Sequence, residues 1–252
     1  MTLKIDTLEI INDDVTNNKY GHYHNNRPLD VLLDYGIILL DKPSGPTSHE
    51  LVAWTKKILG ITKAGHSGTL DPGTTGLLPI GLGDATKALS ILLLGPKEYY
   101  AVARVHQQKE LDQIEAIFRE FTGEIYQRPP QRSSVKRATR VRRIYELQRL
   151  ENADNLLLIR VLCEAGTYIR KLVYDIGEIL GTGATMFELR RTRVSVFSET
   201  GDKLVRLHNL VDAIETYKET KQEEKIRSII KPIEMALEGV PSVAVKDSAV
   251  DA

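Results

Sequence analysis

With 252 residues, 34 Lys and Arg against 34 Asp and Glu, and 42% hydrophobic side chains, the chain is neutral overall. It is long enough to bury a core as one large domain or two lobes. Its apolar runs, such as residues 88–94, are too short to span a bilayer, no secretory h-region stands at the N-terminus, and Cys163 is the only cysteine. These features argue against a membrane helix, an intrachain disulfide and a cysteine-rich metal site, and a cytoplasmic protein is expected.

Residues 1–29 read as a polar, irregular N-terminal extension. Residues 31–40 read as apolar sequence entering a strand before Lys42-Pro43-Ser44-Gly45-Pro46. Thr47 and Glu50 then have capping-box spacing, Leu51, Trp54 and Ile58 repeat at helical intervals, and Gly60 can end that helix. Trp54 is weighed as a core or half-core aromatic ahead of a base-stacking platform. Residues 77–82 continue as apolar sequence, and residues 85–94 read as helical until Gly95-Pro96 breaks them. A strand is predicted at 99–105 and an amphipathic helix at 111–121. Strands follow at 141–150 and 156–163 around a turn at 152–155. Ile169, Leu172, Val173, Ile176 and Leu180 form the apolar stripe of a helix over 167–180. Residues 193–197 return to strand-like alternation, and 207–237 read as mostly helical. The order predicts an α+β domain over 30–240, with a central mixed or antiparallel sheet and flanking helices, in one body or two sublobes.

One segment lacks helix or strand periodicity: His66-Ser-Gly-Thr-Leu-Asp-Pro-Gly-Thr-Thr-Gly76. It places Asp71 among small and turn-forming residues, with Pro72 fixing φ beside the acid. A carboxylate on such a loop is a candidate for chemistry, and a structural Asx-turn is an equal alternative. A second segment stands out by charge. Residues 128–143 hold seven Lys or Arg and no acid, which fits either a solvated loop or a surface for a polyanion.

These motifs, with Lys97-Glu-Tyr99, Gln127-Arg-Pro-Pro130, Ser134-Val-Lys-Arg137, Cys163-Glu-Ala-Gly-Thr-Tyr-Ile-Arg170 and Glu188-Leu-Arg-Arg191, resemble the dyskerin and archaeal box H/ACA pseudouridine synthase family, related to the bacterial tRNA pseudouridine-55 synthases. The resemblance covers most of residues 30–200. It implies isomerisation of uridine to pseudouridine in ribosomal RNA, without a cofactor or a metal, and a guide-independent activity on tRNA uridine 55 in some members. Asp71 matches the essential carboxylate, Arg170 its arginine partner, and Tyr99 the aromatic that stacks on the base. By the same resemblance Lys42, His66, Tyr168 and Leu189 border or position the substrate. Arg132, Lys136, Arg137 and Arg140 supply the basic RNA-binding loop. The implied partners are a box H/ACA guide RNA and the proteins Nop10, Gar1 and L7Ae. Residues 241–252 resemble the lead-in to a PUA domain, so the chain is expected to lack most of that domain. Two other readings stay open: a noncatalytic RNA scaffold that keeps the fold, and a metal-dependent hydrolase, for which no third ligand accompanies Asp71 and His66.

Overall fold

The apolar stretch before Lys42 divides in two. In the computed structural model, which describes residue 22 and residues 26–129 and 138–241, it forms helix α1 (Leu29–Asp34) and strand β1 (Gly36–Lys42). Gly36 marks the break, because a Cβ there would lie 2.3 Å from the Leu32 carbonyl oxygen. Helix α2 (Ser48–Leu59) follows. The Thr47 hydroxyl accepts from the Glu50 amide, the Glu50 carboxylate accepts from the Thr47 amide, and Gly60 closes the helix at φ +68°. Its buried stripe is Leu51, Val52, Thr55 and Leu59, which turns Trp54 outward to 44% exposure instead of into the core.

Next come β2 (Ala64–His66), β3 (Thr75–Leu82), a 3-10 turn at Gly83–Ala88, α3 (Leu89–Leu94), β4 (Lys97–Val105), α4 (Leu111–Phe121), β5 (Gly123–Gln127), β6 (Arg140–Ala153) and β7 (Leu156–Cys163). The chain continues through α5 (Ile169–Leu180), β8 (Ala184–Val194), β9 (Phe197–Ser198), α6 (Leu207–Thr220), α7 (Glu224–Ile229), β10 (Lys231–Pro232) and a 3-10 turn at Ile233–Leu237. The strands form one mixed sheet in the order β10-β1-β3-β8-β4-β7-β6-β5, with β2 on β3 and β9 on β8. Only the short β3–β8 junction is parallel among these ladders. This is the α+β architecture expected from the sequence.

The two ends of the sheet are buried differently, and the sequence pattern follows. On β1, Ile38 and Leu40 face a core built with α1, α2, α6 and α7, while Ile37 and Leu39 face a second core with α3 and the C-terminal 3-10 turn. Both faces are covered, so the strand reads as an unbroken apolar run. At the other end β7 alternates strictly. Leu157, Ile159, Val161 and Cys163 pack toward α4 and α5, and the intervening residues are half-buried.

Other elements also depart from the predicted pattern. Strand β8 is far longer than the predicted 193–197, because its sequence alternates charged residues across a partly open face. Strand β5 was not predicted; it is five residues long and pairs with β6 at the edge. The predicted helical run over 207–237 is interrupted by Lys221 at φ +61° and by β10, which closes the sheet edge against Gly36 and Ile37. Among the described residues, no helix is long and apolar enough to cross a membrane.

Candidate active site

The loop between β2 and β3 carries Asp71, and its shape is imposed by the segment that follows β1. Lys42, at the end of β1, is fully enclosed. Its ammonium donates to the carbonyls of Pro43 at 2.9 Å, Pro72 at 2.8 Å and Thr74 at 2.9 Å. Two of those carbonyls lie in the loop within three residues after Asp71. Gly45 N–H donates to Pro72 O at 2.9 Å, and the Ser48 hydroxyl accepts from the Leu70 amide at 3.0 Å. Within the loop, Thr74 N–H donates to Asp71 O at 2.9 Å. The Lys42–Ser48 motif is therefore the platform on which the loop is pinned. Direct RNA contact does not fit the burial of Lys42; all three ammonium protons have backbone acceptors.

Burial pushes the Lys42 ammonium below the ordinary lysine value, and the three carbonyls hold it in place. Lys42→Met is expected to destabilise the fold by about 2–3 kcal/mol, because the loop carbonyls lose the ammonium that joins them and, among the described residues, only Pro72 O keeps another donor, Gly45 N–H. Urea denaturation reads this; a midpoint within error of wild type would refute it.

Asp71 itself is exposed, and its carboxylate accepts from the Arg170 guanidinium. Arg170 comes from the first turn of α5, 99 residues away in sequence. The start of α5 is fixed by Gln127, whose side-chain amide accepts from Tyr168 N–H at 2.9 Å and donates to Tyr168 O at 3.1 Å. Gln127 is buried and ends β5, so the first residue of the Gln127–Pro130 motif holds the helix that presents Arg170. Tyr168 takes part here through its backbone.

Tyr99 and Leu189 lie on adjacent strands β4 and β8, and both pack against the core between sheet and α5. Tyr100 falls on the opposite face by strand alternation. Burial pushes the Tyr99 phenol above the usual tyrosine value, partly opposed by the charge of Arg191, its cross-strand partner on β8. Two residues before Tyr99, the enclosed Lys97 ammonium donates to Leu92 O, Leu93 O and Gly95 O at 3.0, 2.6 and 2.6 Å. It caps α3 at the entrance to β4, and burial pulls it down to about 8.

His66 ends β2, opposite Ile80, and stacks edge-on against His49 with ring centroids 5.0 Å apart. Its Nδ1 is buried without a partner among the described residues. Burial first, then His49 and Arg191, lower its pKa below 6.5. The unfolded chain therefore binds this proton at higher pH than the folded chain, so the His66 contribution to stability falls as pH drops through 6.5. His66→Gln should flatten the acid side of a stability profile between about pH 7 and 5. An unchanged slope would refute it.

Arg140 is exposed at the start of β6, opposite Gln127. Arg132, Lys136 and Arg137 lie outside the described residues. Sequence reasoning did not single out Gln127 or Arg191 as site residues, although both sit in motifs it had noted. A groove of about 440 Å³, lined by residues including Phe121, Tyr126, Lys171 and Ile179, contains none of the predicted site residues. Among the described residues, no group of three or more His, Cys, Asp and Glu could hold a metal ion.

Comparison with known proteins gives this arrangement its class. Residues 56–169 match the TruB family pseudouridylate synthase N-terminal domain, residues 170–238 the tRNA pseudouridylate synthase B C-terminal domain, and residues 2–52 the DKCLD domain. The class is pseudouridine synthase. A probable tRNA pseudouridine synthase B of Archaeoglobus fulgidus is 46% identical over 250 residues, covering 99% of this chain and 76% of that protein. The crystal structure of a Cbf5-Nop10-Gar1 complex superposes with a TM-score of 0.88 at 49% identity, covering 94% of this chain and 71% of that one. The structure of an H/ACA RNP bound to a substrate RNA containing 2′-deoxyuridine gives 0.85 at 46%, with 94% and 71% covered. The chain belongs to the TruB/Cbf5 family of pseudouridine synthases.

Proposed function

We propose that this chain isomerises uridine to pseudouridine in ribosomal RNA as the catalytic subunit of a box H/ACA ribonucleoprotein. The observation that carries the reading is the Asp71–Arg170 ion pair, held on a pinned loop. The reaction breaks the bond from C1′ to base N1 and forms one from C1′ to base C5. Asp71 acts as a carboxylate, by addition at C1′ or proton removal at C2′, and Arg170 orients it. Tyr99 stacks on the detached base and handles its proton, and Leu189 supplies the apolar wall. His66, Lys42 and Tyr168 position the loop and the substrate. Arg132, Lys136, Arg137 and Arg140 grip the RNA backbone. The target base must leave its stack to reach Asp71.

The pairing of Cbf5 with Nop10 and Gar1, and of an H/ACA RNP with substrate RNA, in the superposed structures supports the same partners here. Guide RNA and L7Ae complete the proposed assembly, and the location is cytoplasmic. The domain plan is an N-terminal extension over 1–29, a catalytic domain over 30–240 and a PUA lead-in over 241–252. The tRNA pseudouridine synthase naming of the Archaeoglobus relative favours a second substrate, tRNA uridine 55. Incubating the protein with Nop10, Gar1, L7Ae, guide RNA and a matching ribosomal RNA fragment should yield pseudouridine at the guided position. A parallel assay offers tRNA without guide. Absence of product on both RNAs would overturn the proposal.

A further inference from the structure

Arg191 heads the fully enclosed side chains by volume, at 1% exposure, and among the described residues no carboxylate pairs with it. A buried unpaired guanidinium is costly to desolvate, and a methionine would fill the same core without that cost. Core packing alone does not call for arginine at this position. Its donors go to the active site instead. Nε donates to Leu77 O at 2.9 Å, Nη2 donates to Gly68 O at 3.2 Å, and Tyr99 is the direct cross-strand partner of Arg191. These three partners belong to different segments. Gly68 lies in the loop before Asp71, Leu77 lies on β3 after it, and Tyr99 lies on β4. A planar fork can serve three such directions at once, which a lysine ammonium on a flexible stem does poorly.

We infer that Arg191 is a positioning residue for pseudouridylation, its single guanidinium fixing the Tyr99 phenol relative to the backbone that carries Asp71. This rests on the proposed roles of Asp71 and Tyr99. Being enclosed, Arg191 acts through Tyr99 and the loop and makes no RNA contact. The charged or titratable groups facing Tyr99 are Arg191 from β8 and the Cys163 thiol from β7; Arg191 in turn faces His66 from β2 and Lys97 from β4. Arg191 is the one cation among them that lies directly across the sheet from Tyr99.

The test compares Arg191→Met, Arg191→Lys, Tyr99→Phe and the Arg191→Met/Tyr99→Phe double variant. Each is assayed for single-turnover pseudouridine formation and RNA affinity. Spectra of ¹³C-tyrosine-labelled protein complete the set, with the Tyr99 resonance assigned by its loss in Tyr99→Phe. Arg191→Met should lower the rate about 100-fold with RNA affinity within about twofold, and should move the Tyr99 resonance and its ionisation to higher pH. Arg191→Lys keeps the charge, loses the fork, and should still lose about tenfold. In the Tyr99→Phe background the Met substitution should cost far less than in wild type.

Wild-type rates in the Arg191→Lys and Arg191→Met proteins, an unmoved Tyr99 resonance, or equal losses in both backgrounds would each overturn the inference. Where Arg191→Met does not fold, the Lys variant and its Tyr99 resonance decide. A wild-type protein that makes no pseudouridine would sink the enzymatic proposal instead, and the resonance would still report whether Arg191 holds Tyr99.

Discussion

Replacing Asp71 with Asn is expected to lower pseudouridine formation at least about 10³-fold while leaving folding and RNA binding near wild type. The substitution keeps the size of the side chain and an oxygen that can accept from Arg170, but removes the negative charge. Neither addition at C1′ nor proton removal at C2′ is available to a carboxamide. The carboxylate is exposed, and exposed ion pairs contribute about 1 kcal/mol at most, so stability should change by no more than that. The loop is held by groups that the mutation leaves alone: the Lys42 ammonium on Pro72 O and Thr74 O, and the Thr74 amide on the Asp71 carbonyl. Thermal unfolding, RNA binding and product formation on the same preparation separate these effects. Product at the wild-type level would sink the central chemical assignment.

Gly76→Ala should be the most damaging single change to the scaffold of the site. Gly76 stands where the loop enters β3, paired with Lys42 on one side and with Arg191 on the other. Its φ is +101°, and a Cβ would lie 2.2 Å from Arg191 O and 2.9 Å from Arg191 N. Both contacts are with backbone, so no side-chain rotation relieves them. Strain plus separation of the β3–β8 junction should cost more than about 3 kcal/mol, or about 6–12 °C in Tm, and activity should fall with it. Gly73→Ala in the same loop is the control. No atom would lie within 4 Å of its Cβ, and its φ is not positive, so the change should stay within about 0.5 kcal/mol. A Gly76→Ala protein that melts with the wild type would show that the junction can yield.

How much of this could be read from the chain depends on the range of the interaction. The α2 capping box, its Gly60 terminator and the apolar stripe of α5 rest on contacts three or four residues apart, and all three were legible. The direction of Trp54 was not, because the burial of α2 is decided by α6 and the sheet. Strand β8 was largely missed for the same reason. One of its faces is partly open, so charged residues dominate its pattern, and its place between β3 and β4 comes from distant pairing.

The site divides along the same line. The sequence by itself marked Asp71 as an acid on a constrained turn, and the motif resemblance pointed to Tyr99 and Arg170 as its companions. The segment Lys42–Ser48 was recognisable as a motif without its purpose. Only the tertiary structure decided that Lys42 and Ser48 pin the loop, that Gln127 holds the start of the helix carrying Arg170, and that Arg191 bonds to the loop backbone at Gly68. The reason is physical. Turn chemistry and helix caps are fixed by neighbours in the chain, whereas a buried cation finds its acceptors only after the sheet has brought separate backbones together.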